Sequence, residues 1–199
     1  MAFCVIINQI RNAWVLPLKF PKREVLTMSD ILEAMKSRRS VRSYKPDAVP
    51  GVLLDRIVEA GFWAASGMNR QSVIILKITD KALRDELSRM NAAVMGRDGD
   101  PFYGAPVVFV VLAAKDMPTY IYDGSLALGN MMLEAHELGL GSCWIHRAKE
   151  EFETDEGRAI LEKLGVKGDY EGIGHLIVGY ADGEYPAPKP RNSGRVFEK

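Results

Sequence analysis

Residues 123–146 read DGSLALGNMMLEAHELGLGSCWIH, a long apolar segment followed by a short glycine-rich one. Its first part predicts a helix over about 122–138, because apolar side chains surround it almost completely and Gly139 follows as a terminator. The remainder, Ser142–Ile145, predicts a short strand. Because a helix that is apolar on nearly all sides belongs in a core or against another subunit, we expect the core to form around this helix.

Strands and helices alternate along the rest of the chain. Clusters of β-branched and other apolar residues predict strands over 73–79, 106–114 and 175–180. Apolar residues at helical spacing, with capping residues ahead of several segments, predict helices over 30–38, 53–65, 81–95 and 155–164. Because helices outnumber strands, the sequence predicts an α+β fold with a central sheet flanked by helices.

The composition is that of an ordinary globular chain. Its 199 residues suit one domain with a substantial core. Lysine plus arginine and aspartate plus glutamate number 26 each, and this zero net charge disfavours nucleic acid as a partner. The two cysteines, Cys4 and Cys143, provide neither a disulfide framework nor a zinc site. Cys143 is therefore expected to be a reduced, buried thiol, which fits a cytoplasmic protein.

The N-terminal residues 1–27 are expected to be an appendage of unclear role. Polar residues such as Asn8 and Arg11 interrupt their apolar run, which is too broken for a signal peptide and too short for a membrane span. A natural helix start follows at Met28. We therefore expect the folded domain to cover residues 28–199.

Three arginines, Arg38, Arg39 and Arg42, surround Ser40 directly after the first predicted helix. Guanidinium forks and a serine hydroxyl suit phosphate oxygens. A cationic helix end, stabilised by the helix dipole, explains the same residues equally well. The cluster alone therefore leaves a phosphate site and a plain helix terminus open.

Three further stretches carry candidate binding groups. Ser66, Asn69 and Gln71 lie between a predicted helix and a strand, where amides suit a ring edge with both donors and acceptors, although a plain polar turn fits them better. The strand that ends at Trp144-Ile145-His146 can present backbone N–H groups to a flat ligand, although Trp144 is equally a core residue. The pair Lys189 and Arg191 can close on a phosphate, although most such tails are solvated.

Several familiar chemistries lack their residues. No stretch matches the dinucleotide-binding GxGxxG fingerprint or a P-loop. The three histidines, His136, His146 and His175, are scattered, so no metal site is expected. Cys143 is expected to be buried and unactivated, which argues against a thiol nucleophile.

Taken together, these stretches occur in the order seen in the FMN-dependent nitroreductase family, which the chain resembles over about residues 28–191. Further matches are FYGAPVV at 102–108 and the pattern of residues 123–141. The resemblance implies an α+β fold with a central, mostly antiparallel sheet flanked by helices. It also implies an intertwined homodimer with FMN at the subunit interface.

The resemblance also implies roles for individual residues. It implies that Arg38, Ser40 and Arg42 hold the phosphate and the pyrimidine end of FMN. Arg39 would have a backbone or ribityl-side role, and Lys189 and Arg191 would lie near the phosphate. It implies that Ser66, Asn69 and Gln71 belong to the segment that the partner chain contributes to each FMN site. It assigns the isoalloxazine face to Trp144, Ile145, His146 and Arg147, where a backbone N–H would face flavin N5.

The activity implied by the resemblance is a transfer of two electrons from NADH or NADPH to a nitroaromatic, quinone or similar small organic acceptor, with ping-pong kinetics. The flavin would carry the chemistry, so no side chain is assigned as catalytic. The alternatives are a specialised relative, such as an ene-reductase or a dehalogenase, and a flavin-binding protein without turnover. The short loop 92–103 disfavours a relative with an added lid.

Overall fold

The computed structural model describes residues 28–199. The predicted appendage, residues 1–27, lies outside the described residues, so its role stays a prediction. Glu33–Lys199 form one compact unit.

Helices and strands alternate as the sequence predicts. The helices are α1 (Met28–Ser37), α2 (Gly51–Phe62), α3 (Lys81–Met95), α4 (Tyr120–Glu137), α5 (Ala148–Phe152) and α6 (Asp155–Lys163). The strands are β1 (Val73–Ile78), β2 (Val107–Ala114), β3 (Gly141–Ile145) and β4 (Tyr170–Gly179). A single 3₁₀ turn, Gly67–Asn69, separates α2 from β1.

Two helix starts follow directly from capping side chains. The carboxylate of Asp80 accepts from the backbone N–H of Leu83 at 2.8 Å, and the hydroxyl of Thr154 accepts from Gly157 at 3.0 Å. Each bond satisfies one of the N–H groups that a helix leaves free at its N-terminus. Both caps confirm the sequence prediction.

The four strands form one antiparallel sheet in the order β1-β2-β4-β3. β2 is central, and Val108–Ala113 are fully buried, as expected for an uninterrupted apolar strand covered on both faces. β4 lies between β2 and β3, and its pairing with β2 shifts register between Val111 and Leu112. The predicted mostly antiparallel sheet is confirmed.

Helices cover both faces of the sheet. One face packs on α2 and α4, through residues such as Ile57 and Met131. The other face packs on α3, α5 and α6, through residues such as Leu87 and Phe152. Helix α4, predicted to be a core helix, buries Ala127, Leu128, Met131 and Ala135. The α+β prediction with a helix-flanked sheet is confirmed.

The structure corrects several predicted boundaries. Helix α1 begins at Met28, so Ser29 lies within it rather than capping it. Helix α2 ends at Phe62, three residues before the predicted end at Ala65. The short helix α5 was not predicted.

Strand β4 is the largest correction, because it begins at Tyr170 rather than His175. Gly172 and Gly174 make its first half look like a loop in the sequence, since glycine weakens strands. The structure requires both glycines to lack side chains. A Cβ at Gly172 would overlap the Ala148 carbonyl, and one at Gly174 would overlap the Trp144 indole nitrogen.

Candidate functional site

The arginine-rich segment, residues 38–42, lies along the edge of β3 that does not pair with β4. The Val41 N–H donates to the Ser142 carbonyl at 3.0 Å, and Ser40 and Ser142 form a parallel bridge. The Tyr44 hydroxyl donates to the Val41 carbonyl at 2.8 Å and so fixes the turn of the segment. Arg38, Ser40 and Arg42 are therefore held beside the start of a core strand rather than on a free loop.

Unsatisfied hydrogen-bonding atoms collect along this segment. Arg38 Nη1, Arg39 Nε and Ser142 Oγ are buried and have no hydrogen-bond partner among the described residues. A buried donor without a partner costs free energy, and a charged donor costs more than a neutral one. A phosphate dianion would supply acceptors for all three groups, because each can donate to an oxygen.

The three arginines differ in how many of their donors are already used by hydrogen bonds within the described residues. Arg39 Nη1 donates to the carbonyls of Lys36 and Arg38, at 2.5 and 2.6 Å, so part of its guanidinium closes the end of α1. Arg42 is exposed, and its one hydrogen bond to a described residue, the Ser40 carbonyl, is long at 3.4 Å. Arg38 and Arg42 thus keep most of their donors for a ligand, whereas Arg39 is partly used by the helix.

Cys143 lies next to this cluster as a buried free thiol, which confirms the prediction for its burial. Burial raises the pKa of the thiol, while Arg42, a hydrogen bond with Ser40, and Arg38 lower it. Burial dominates, so the thiol is protonated at neutral pH and is a poor nucleophile.

The second segment, Ser66–Gln71, is a constrained turn. The Gln71 N–H donates to Ser66 Oγ at 3.0 Å, and Gln71 Nε2 lies 3.4 Å from Asn69 Oδ1. Met68, Asn69 and Gln71 have φ values of 50°, 53° and 53°. Residues other than glycine rarely adopt this left-handed conformation, so the surrounding structure must hold it in place.

Buried Asp123 of α4 holds this turn. Its Oδ1 accepts from the Gly67 N–H at 3.0 Å, and its Oδ2 accepts from the hydroxyls of Ser72 and Thr119 at 2.8 and 3.2 Å. Gly67 packs so closely on Thr119 that a Cβ would overlap its hydroxyl. The turn therefore presents Asn69 and Gln71, both exposed, on a rigid support.

The two segments lie at diagonally opposite corners of the sheet. Ser142, beside the arginines, pairs with Val178 near the end of β4. Val73, at the start of β1, pairs with Ala113, which pairs with Glu171 near the start of β4. Strand spacing and rise then separate the segments by roughly 25 Å. One chain therefore does not bring its own Asn69 to its own Arg38.

The third segment follows β3. The Trp144 indole is half-buried against Gly174, and Ile145 is buried. The His146 side chain is exposed. Arg147 has φ 81°, and its Nε donates to Asn91 Oδ1 at 3.0 Å. The structure thus directs the Arg147 side chain to α3, while the backbone at 145–147 forms the end of the strand.

The predicted basic pair lies in the C-terminal tail. Lys189 and Arg191 are exposed, and neither makes a hydrogen bond or an ion pair within residues 28–199. The tail leaves the sheet past Tyr185, whose ring lies edge-on to His136 with centroids 6.1 Å apart. His136 in turn hydrogen-bonds Ser37, at the end of α1, at 2.8 Å. The tail therefore starts close to the arginine segment.

A buried polar group that was not predicted from the sequence lies behind β3. Asn91, Glu151 and His175 are each fully buried. Asn91 Nδ2 donates to the His146 carbonyl at 2.8 Å and to Glu151 Oε1, and His175 Nε2 lies 3.2 Å from Glu151 Oε2. An asparagine on the apolar side of α3 and a histidine inside an apolar strand are the sequence signals for this group.

A second missed feature is an apolar surface around the end of α2 and the start of α4. Trp63, Met68 and Tyr122 are 78%, 77% and 70% exposed. Exposed apolar patches of this kind mark interaction surfaces. The patch borders the Ser66–Gln71 turn, so a partner covering one would also meet the other.

Two other features are absent from the part of the chain that the structure describes. No group of three or more histidine, cysteine or carboxylate side chains there is arranged to hold a metal ion. No helix there is long and apolar enough to cross a membrane.

Comparison with known proteins gives one consistent family. The Nitroreductase family model matches residues 35–97 and 91–180. A Bacteroides fragilis nitroreductase solved with bound FMN is 29% identical, with a TM-score of 0.78 over 85% of this chain and 98% of that one. An FMN-dependent nitroreductase from Clostridium difficile is 32% identical, with a TM-score of 0.67 over 79% of this chain and 91% of that one.

A curated archaeal protein matches a shorter region. It comes from Methanothermobacter thermautotrophicus and bears the name NADH dehydrogenase/NAD(P)H nitroreductase. The two proteins are 29% identical over 120 residues, which are 58% of this chain and 60% of that protein. The match therefore spans less than two thirds of that relative.

Proposed function

Because the chain belongs to the nitroreductase family, we propose that it is an FMN-dependent oxidoreductase that transfers electrons from NADH or NADPH to a small organic acceptor. The observation that carries the proposal is the set of buried atoms at Arg38, Arg39 and Ser142 that have no hydrogen-bond partner within residues 28–199. These groups fit the phosphate of FMN, a dianion that needs several charge-assisted donors. Arg42 adds an exposed cation at the same edge of β3.

The residues of the chain bind and orient this cofactor. Arg38 and Arg42 hold the phosphate, with Ser40 and Ser142 as hydroxyl donors, and Lys189 and Arg191 add charge from the tail. The end of β3, Trp144–Arg147, offers backbone groups and apolar surface to the ring.

FMN, when bound, supplies the redox chemistry by accepting a hydride equivalent from the nicotinamide and passing two electrons to the acceptor. We expect one face of the bound ring to stay accessible, so that the donor and the acceptor would occupy the same space in turn. We assign no side chain as a general acid or base. Alternating occupancy predicts ping-pong kinetics, seen as parallel lines in double-reciprocal plots at several donor concentrations. A nitroaromatic or a quinone is the first acceptor to test.

We also propose that the site is shared between two copies of the chain. Arg38 and Asn69 lie at opposite corners of one sheet, and a second copy can bring its Asn69 segment to the first copy's arginines. The exposed apolar patch with Trp63 and Tyr122 adjoins that segment, as a homodimer interface requires. The two cysteines of the sequence further favour a reducing compartment, and we expect the cytoplasm.

A dimer variant tests the shared site. Trp63→Arg is expected to yield monomers that lose FMN, because it places a cation in the apolar patch while leaving the arginine cluster intact. Val196→Arg is the matched control, since Val196 is 78% exposed in the tail. Ultracentrifugation gives the oligomeric state and flavin fluorescence the bound fraction. A Trp63→Arg monomer that retains FMN as tightly as the parent would contradict a shared site.

The function itself is tested by the visible spectrum of the purified protein. We expect flavin absorption bands that bleach when NADH or NADPH is added anaerobically and return when a quinone or a nitroaromatic is added. A protein that stays colourless after incubation with FMN would refute the proposal. Flavin bands that neither nicotinamide bleaches would instead favour a flavin-binding protein without turnover.

The alternative functions, as an ene-reductase or a dehalogenase, receive less support. The connection between α3 and β2 runs only from Gly96 to Pro106, and its Asp100 folds back on Arg84 and Ser88 at 2.6 Å each. This loop is short and tied to α3, so it offers little chain for a substrate lid of the kind expected in an ene-reductase or a dehalogenase.

A further inference from the structure

The turn after β3 has an unusual backbone that other residues must hold. Arg147 adopts φ 81°, in the left-handed region where a side chain is strained. It directly follows His146, at the strand end that the proposed function sets against the flavin ring. A strained turn persists only where its surroundings over-determine it, so the contacts of these two residues are decisive.

Asn91 makes those contacts from helix α3. Its Oδ1 accepts from Arg147 Nε at 3.0 Å, and its Nδ2 donates to the His146 carbonyl at 2.8 Å. The side chain is 0% exposed, so both bonds form without competing water. The Asn91 amide thus fixes the backbone of His146 and the side chain of Arg147.

The charges around Asn91 allow only one orientation of its amide. Its oxygen faces the Arg147 cation and its nitrogen faces the Glu151 carboxylate, to which it also donates. A flipped amide would point its NH₂ at a guanidinium and its oxygen at a carboxylate, losing both bonds. An uncharged side chain with a donor and an acceptor is therefore needed between these two ions.

Glu151 connects the amide to the sheet. Its second oxygen lies 3.2 Å from His175 Nε2, a close contact in which neither atom makes a hydrogen bond among the described residues, and both residues are 0% exposed. His175 pairs with Ile145 in the sheet and packs on Phe102, with ring centroids 5.2 Å apart. The contacts therefore run from α3 through α5 to β4 and back to the end of β3.

We propose that Asn91 is a positioning residue of the flavin site, which holds the His146–Arg147 turn at the ring by bridging the Arg147 guanidinium and the Glu151 carboxylate. This proposal rests on the proposed function, because it assumes that the turn borders the flavin. Asn91 touches neither cofactor nor substrate and acts through the backbone of the turn.

Exchanging the amide of Asn91 and the carboxylate of Glu151, in two steps, tests this arrangement. Asn91→Asp sets two carboxylates against each other and removes the donor to the His146 carbonyl. We expect an approximately tenfold rise in the FMN dissociation constant, because the turn loses its bond at the His146 carbonyl and the bond between Asn91 and Glu151 is replaced by repulsion. We also expect shifts in the flavin absorption maximum and in the midpoint potential of the bound flavin.

The double variant Asn91→Asp with Glu151→Gln restores one anion, one amide and the cation. We expect it to recover part of the lost FMN affinity and of the shift in the flavin spectrum, because the carboxylate–amide pair beside Arg147 is restored while the donor to the His146 carbonyl stays absent. Ser88→Ala is the matched control, because it removes a buried hydrogen bond, to Asp100, from the same helix. Thermal unfolding of each protein without FMN separates folding defects from effects on the site.

The outcomes separate the two proposals. If the parent protein binds no FMN, the proposed function fails and this inference falls with it. If the parent binds FMN and Asn91→Asp matches Ser88→Ala in dissociation constant, spectrum and midpoint potential, only the positioning role is overturned. A double variant that is no better than Asn91→Asp would equally overturn the bridging role.

Discussion

Arg38→Ala is expected to raise the dissociation constant of FMN about ten- to a hundredfold, because a hydrogen bond to a charged group contributes roughly 1.5–3 kcal/mol. The buried Nη1 of Arg38 has no partner among the described residues, so its donor remains available for a phosphate oxygen. Arg42→Ala should weaken binding in the same direction. Fluorescence titration of the FMN-free protein measures both effects.

Two controls make this prediction specific. Arg195→Ala removes the same charge from an exposed tail residue and should leave FMN affinity unchanged. Arg38→Lys keeps the charge but loses the planar fork, so it should recover only part of the affinity. Added salt should weaken the parent more than Arg38→Ala, because salt screens a phosphate contact. Unchanged affinity in both Arg38→Ala and Arg42→Ala would remove this segment from the site.

Asp123→Ala is expected to destabilise the protein by about 3 kcal/mol, because it leaves the buried Ser72 hydroxyl and the half-buried Gly67 N–H unsatisfied. For a chain of this size, that change lowers Tm by roughly 5–10 °C. The Ser66–Gln71 turn loses its support in the same step, so FMN binding by the dimer should also fall. Differential scanning calorimetry measures the first effect, and flavin titration measures the second.

Asp98→Ala is the matched control, since Asp98 is exposed in the loop after α3. It should leave Tm and FMN affinity unchanged. Asp123→Asn should lie between the parent and Asp123→Ala, because the amide keeps the shape and one acceptor but turns an NH₂ towards donors. An Asp123→Ala protein with the parental Tm would contradict the role assigned to this carboxylate.

Local signals in the sequence predicted much of the fold. Asp80 and Thr154 start their helices where a capping side chain is expected, and the unbroken apolar run of β2 became the central strand. Those elements need only neighbouring residues to be recognised. The first half of β4 was missed because Gly172 and Gly174 reflect contacts with Ala148 and Trp144, which are distant in sequence.

In the candidate site too, features that are local in the sequence were predicted, and features that depend on distant residues were not. The arginine segment was recognised because its charges are adjacent in the chain, and the structure adds that Arg38 Nη1 is buried and unpartnered among the described residues. The diagonal separation of Arg38 from Asn69 follows only from strand order and register. Asn91 was missed because its partners, Arg147 and Glu151, lie more than fifty residues away.

The strand order has a consequence for how the chain is synthesised. Of the four described strands, β4 is the last to leave the ribosome, yet it lies between β2 and β3, which are made earlier. Until residues 170–179 emerge, the apolar β2 has an open hydrogen-bonding edge on the side that β4 will occupy. A nascent chain stalled before Tyr170 would therefore be a target for chaperones and for aggregation, whereas one that has released Gly179 can close its sheet.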